Sequence, residues 1–144
     1  MSKRIVVGYD GSENAMNAVE FAVGLAKAGG AGLVLAHVLE WSPYTFLTPT
    51  EIEERHARRN EELERAQTAV LEPVLTKLAG TGLEVASELR YGHIAETLIK
   101  IAEEEGVDHL VIGRTGHSKL SSRIFGSVAG SLAQAAPVPV TIVP

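Results

Sequence analysis

The sequence predicts an α/β protein built on an open parallel sheet with helices on both faces. Short apolar, β-branched runs alternate with helix-period patterns from one end to the other, which is the order that βαβ units produce. Several runs are apolar at successive positions, as strands buried on both faces require. Length and composition agree: 144 residues, 45% hydrophobic and 22% charged, suffice to bury one core. The expectation is a single domain over residues 1–144 with five strands.

Arg4 to Tyr9 (RIVVGY) reads as the first buried strand. Ser12 is placed to cap the next helix, with Glu13 in its first turn. Ala15, Ala18, Val19, Ala22, Leu25 and Ala26 then recur at helical spacing until Gly29-Gly30. Leu33 to Leu39 (LVLAHVL) is a second buried strand, and residues 41–49 (WSPYTFLTP) read as a loop. Thr50 and Glu53 have the spacing of a capping box for a long helix. Its first half, EIEERHARRNEELER, is charged almost all round and is expected to project into solvent. Its second half carries Leu63, Ala66, Val70, Val74 and Leu78 on one face, and Pro73 should kink or interrupt it.

Glu84 to Tyr91 alternates in the manner of a strand at or near a sheet edge. Ile94, Leu98, Ile101 and Ala102 mark a third helix closed by Gly106. His109 to Ile112 is a fourth strand, Ser127 to Ala135 a last helix, and Val138 to Val143 a final strand. Pro139 assigns that strand to an edge, because proline cannot donate to a central ladder.

Composition excludes several classes of function. A net charge of −5 argues against a broad nucleic-acid surface. The absence of cysteine removes disulfides, thiolate metal sites and cysteine nucleophiles. No apolar run approaches a membrane span or the core of a signal peptide, so neither a membrane nor export is expected, and the cytoplasm is the expected compartment. His37, His56, His93, His109 and His117 lack ligand-like spacing, so no metal site is expected.

Chemistry concentrates in Val111 to Val128, VIGRTGHSKLSSRIFGSV. Gly113 and Gly116 follow directly on a buried strand, where a turn can expose backbone N–H groups. Gly126-Ser127 opens a helix, where unpaired N–H groups and the dipole attract anions. Arg114, Ser118, Lys119 and Arg123 between them supply donors for phosphate. The spacing fits neither a Walker-type P-loop nor the G-x-G-x-x-G of dinucleotide folds.

Gly113-x2-Gly116-x9-Gly126-Ser127 resembles the nucleotide motif of the ATP-binding branch of the universal stress proteins. IVVGYDGSENA, Tyr91-Gly92, EEEGVDHLVIGRTG and APVPVTIV resemble that family too, so the likeness covers nearly the whole chain. The family's other branch lacks the glycine motif and does not bind ATP. The resemblance implies a Rossmann-like five-stranded sheet of order 3-2-1-4-5, whose switch point between the first and fourth strands is where ligands of such sheets bind. It places Asp10 near adenosine and the backbone of Val38 near adenine. Gly113, Arg114, Gly116, Gly126, Ser127 and Val128 would then surround the ribose and phosphates. Arg114-Thr115 departs from the smaller or neutral residues common there. The implied ligand is ATP, with Mg2+ as its usual companion, and the implied assembly is a homodimer through Val138 to Val143. The expected function is nucleotide-dependent regulation of stress adaptation. A cyclic AMP or AMP receptor and a slow ATP hydrolase are the alternatives. From the residues alone, Asp10 also suits a turn and Ser127 a helix cap.

Overall fold

The computed structural model describes residues 3–40, 48–115 and 127–144. The chain forms β1 (Arg4–Gly8), α1 (Glu13–Gly29), β2 (Gly32–Glu40) and α2 (Pro49–Arg65). A π-helical segment (Ala66–Leu71) leads into α3 (Glu72–Ala79), followed by β3 (Val85–Gly92), α4 (Ile94–Glu105) and β4 (His109–Gly113). The last described elements are α5 (Ser127–Ala135) and β5 (Val140–Val143). Among the described residues the strands make one parallel sheet of order β3-β2-β1-β4-β5, the order that the resemblance implies.

Strand side chains alternate between faces, so the apolar runs feed two separate cores. Val7, Leu33, Leu35 and Val111 pack with α1 and with Leu71 and Val74 on one face. Val6, Val34, Leu110 and Ile112 pack with Leu98 of α4 and Leu132 of α5 on the other. Val6 and Val7 are both fully buried, which explains why RIVVG is apolar without interruption. β3 and β5 are the edges, and their residues are mostly half-buried. No helix among the described residues is long and apolar enough to cross a membrane.

Two boundaries differ from those the sequence predicts. The capping box of α2 is Thr48 with Glu51, not Thr50 with Glu53: Thr48 Oγ1 accepts the Glu51 N–H at 3.2 Å, and Glu51 Oε2 accepts the Thr48 N–H at 3.4 Å. Pro49 decides between the two pairs, because its fixed φ and missing N–H suit the first helical position. The interruption expected from Pro73 is present in the turns just before it, where the Glu72 N–H reaches back five residues to Gln67 O. Pro73 itself falls in the first turn of α3, where no intrahelical donor is needed. Finally, β5 starts at Val140 rather than Val138; Pro139 stays beside the ladder as an acceptor, its O taking the Leu110 N–H at 3.0 Å.

As its charge pattern foretold, α2 buries no residue. Its tie to the sheet is polar: the Tyr91 hydroxyl donates to Glu62, and the Arg59 guanidinium stands 4.8 Å from the centre of the Tyr91 ring. Burial and then the Glu62 bond push the Tyr91 phenol up to about 12.

Candidate functional site

The β1 exit is a hydrogen-bonded turn. Asp10 Oδ1 accepts the Ser12 N–H at 2.9 Å and the Ser12 hydroxyl at 2.5 Å. Ser12 Oγ in turn accepts the Ala15 N–H at 3.1 Å as the N-cap of α1. Gly11 between them has φ 85°, a left-handed conformation that a side chain would strain. The carboxylate of Asp10, two residues past β1, is therefore fixed through the helix cap. Its turn role and a ligand role are compatible, and the turn role is present.

β2 outruns β1. Their ladder ends at Gly8↔Ala36, and the Tyr9 N–H donates to Ala36 O at 2.8 Å. In a strand, residues two apart direct their backbone groups to the same side. Val38 thus turns its N–H and C=O toward the space beyond the end of β1, while its side chain is buried on the α4 face. His37, also buried, brings Nδ1 to 2.8 Å from Tyr9 O. A carbonyl only accepts, so Nδ1 carries the proton in this contact. His37, which has no ligand-like spacing in the sequence, pins the β1 exit to β2. Burial first, and then the Asp10 carboxylate, raise the Tyr9 phenol above its ordinary value.

The β4 exit is tighter. A Cβ on Gly113 would fall on Asn14 Oδ1, 2.9 Å from its Cγ and 3.1 Å from the Asn14 backbone O. Asn14 Oδ1 accepts the Thr115 N–H at 2.8 Å, and Asn14 Nδ2 donates to Val143 O at 3.1 Å. Arg114 is exposed, its N–H donates to Val143 O at 2.8 Å, and its side chain forms no ion pair with any described residue. Asn14 escaped the sequence reading because its partners lie 101 and 129 residues further on. The one local hint is an amide, able to donate and accept at once, in the first turn of a helix.

α5 begins at Ser127, so the N–H groups of Ser127 and Val128 belong to its first turn and have no partner within the helix. The Val128 side chain packs against the core shared with α4. Gly116 and Gly126, with His117 and the aromatic residues of 41–47, lie outside the described residues. The structure thus brings Asp10, Val38, Gly113 and Arg114 to the carboxyl ends of the neighbouring strands β1, β2 and β4. Among the described residues no cluster of acidic or histidine side chains could hold a metal ion.

The sequence model of the Universal stress protein family matches residues 1–144. The chain belongs to that family. A universal stress protein of Thermus aquaticus is 35% identical over 143 residues, covering 99% of each chain. The universal stress protein UspA from Lactobacillus plantarum shares the fold, with a TM-score of 0.83 at 24% identity over 99% of this chain and 97% of that one. A universal stress protein solved in complex with cAMP has a TM-score of 0.62 at 27% identity, over 99% of this chain and 96% of that one. Family membership accounts for the strand order.

Proposed function

We propose that this universal stress protein is of the ATP-binding branch and holds ATP where the strand order reverses, with occupancy of the site regulating a dimer or partner surface during stress adaptation. The observation that carries this reading is the switch point itself. β1 and β4 are neighbours, with crossovers running in opposite directions from them, and Asp10 and Gly113-Arg114 stand at their carboxyl ends. On this reading Asp10 meets the adenosine and the backbone of Val38 the adenine. Gly113, Arg114, Gly116, Gly126, Ser127 and Val128 surround the ribose and phosphates. The donor set suits a phosphate chain: an exposed guanidinium at the β4 exit and the open N–H groups of a helix start. Mg2+ would travel with the phosphates and water, since the described residues offer it no cage.

The reading places the site within one domain of residues 1–144, in the cytoplasm, with ATP turnover slow at most. It also makes the chain a homodimer through Val138 to Val143, because an apolar edge strand invites a partner and β5 is such an edge.

The test is a calorimetric titration of nucleotide-stripped protein with ATP and Mg2+. Saturable binding near one ATP per chain is expected; a folded sample that takes up no heat sinks the reading. The cAMP complex of a relative 27% identical favours a second reading, in which the same crevice takes a cyclic nucleotide. Displacement of one nucleotide by the other ranks the two.

A further inference from the structure

Asn14 joins two parts of the molecule that the motif does not connect. Through Oδ1 it holds the Thr115 N–H, the second amide beyond β4, and through Nδ2 it holds the carbonyl of Val143, the last residue of edge strand β5. The Arg114 N–H converges on that same carbonyl. Asn14 is itself held firmly, because it sits in the first turn of α1 between the Ser12 cap and the buried Ala15. A ligand that draws on Arg114 and Thr115 therefore acts on the end of β5 by two routes: directly through the Arg114–Val143 bond, and through the Asn14 amide. The amide serves both ends because it carries its acceptor and its donor on separate atoms.

We propose that Asn14 is a positioning residue that couples a ligand held at Arg114 and Thr115 to the edge of β5. What the site holds is then reported at the edge where a second copy would pair. By linkage, pairing at that edge must alter ligand affinity by the same factor. The identity of the ligand rests on the ATP reading above; the coupling itself rests on the three hydrogen bonds.

The experiment is residue-resolved amide exchange by NMR on the full chain, without ligand and at saturating ATP and Mg2+, for the wild type and Asn14→Ala. Calorimetry on the same samples reports whether ATP is bound, and saturation keeps any change in affinity out of the comparison. In the wild type, ATP should slow exchange over Val140–Val143 by about fivefold, the scale of one hydrogen bond. In Asn14→Ala, ATP should still bind, but that slowing should shrink to the part carried by the Arg114–Val143 bond. Equal slowing in the two proteins overturns the proposal. If Asn14→Ala does not fold, the isosteric Asn14→Asp replaces it. That variant keeps an acceptor for Thr115 but loses the donor to Val143, so the Thr115 amide should stay slow while the β5 response shrinks as in Asn14→Ala. An undiminished response overturns the proposal here too. If the wild type binds no ATP, the nucleotide reading has failed and the coupling is read in the ligand-free proteins. Faster exchange of both Thr115 and Arg114 in Asn14→Ala upholds it, because the Arg114 amide touches Val143 and not Asn14. Faster exchange of Thr115 alone overturns it.

Discussion

The Tyr91 hydroxyl donates to the Glu62 carboxylate across 29 residues of sequence, and that bond fastens a helix without a buried residue to the edge of the sheet. Phe at position 91 keeps the ring under Arg59 and removes the bond. Tyr91→Phe should speed amide exchange throughout α2 while lowering global stability by no more than about 1.5 kcal/mol. An unchanged α2 would mean that contacts other than this hydrogen bond hold the helix.

The same residue gives a pH dependence. The folded state raises the Tyr91 phenol from 10.0 to about 12, so it favours the neutral form. Its contribution to stability is whole below pH 10 and is lost as pH rises toward about 12. Tyrosinate absorbance should show a late-titrating component in the wild type, and Tyr91→Phe should remove it. Its persistence in the variant would assign it to another tyrosine.

Gly113→Ala inserts a methyl group where Asn14 already stands. Overpacking of this kind costs about 1–3 kcal/mol. Asn14→Ala clears the side-chain part of the clash, so the double variant should recover part of that loss, with a coupling of about 0.5–3 kcal/mol in urea unfolding. Strict additivity would show that the backbone contact alone sets the requirement for glycine.

Ser12 accepts from Ala15 and donates to Asp10 through one hydroxyl. Ser12→Ala should cost about 1 kcal/mol as a lost helix cap, seen as a lower urea midpoint with an unchanged slope. A neutral substitution would mean that Asp10 takes over the cap.

Arg114→Ala should weaken ATP binding about tenfold, the scale of a hydrogen bond to a charged group, and should flatten its salt dependence. Equal affinity at low and high salt in both proteins would remove Arg114 from the phosphate site.

The strands were legible because central parallel strands leave an unbroken apolar run: RIVVG and LVLAHV stand out in the chain as Val6, Val7 and Leu33 to Val38 do in the core. The helix caps were legible only in part. TPTEIE contains two overlapping capping-box spacings, and choosing the right one meant weighing Pro49 as a first helical residue. The π-helical turn had one local signature, Pro73, which lacks an N–H and crowds the turn before it; its form and extent did not show in the sequence. At the site, residues adjacent in sequence announced themselves, Asp10 with Gly11 and Gly113 with Arg114. Asn14 and His37 did not, since each acts on a backbone group that only the folded chain brings near.

The π-helical turn bears on how this surface can change. One residue added to an α-helix rotates everything beyond it by about 100°, which would swing a core-facing stripe into water. Here the extra residue is taken up between an arm that faces solvent and a stretch that faces the core. The arm can therefore be rewritten, or charged differently, without disturbing the stripe of Leu71, Val74 and Leu78. Residues 49–65 are where an engineer could graft a new recognition helix onto this scaffold, keeping Glu62 as its clasp.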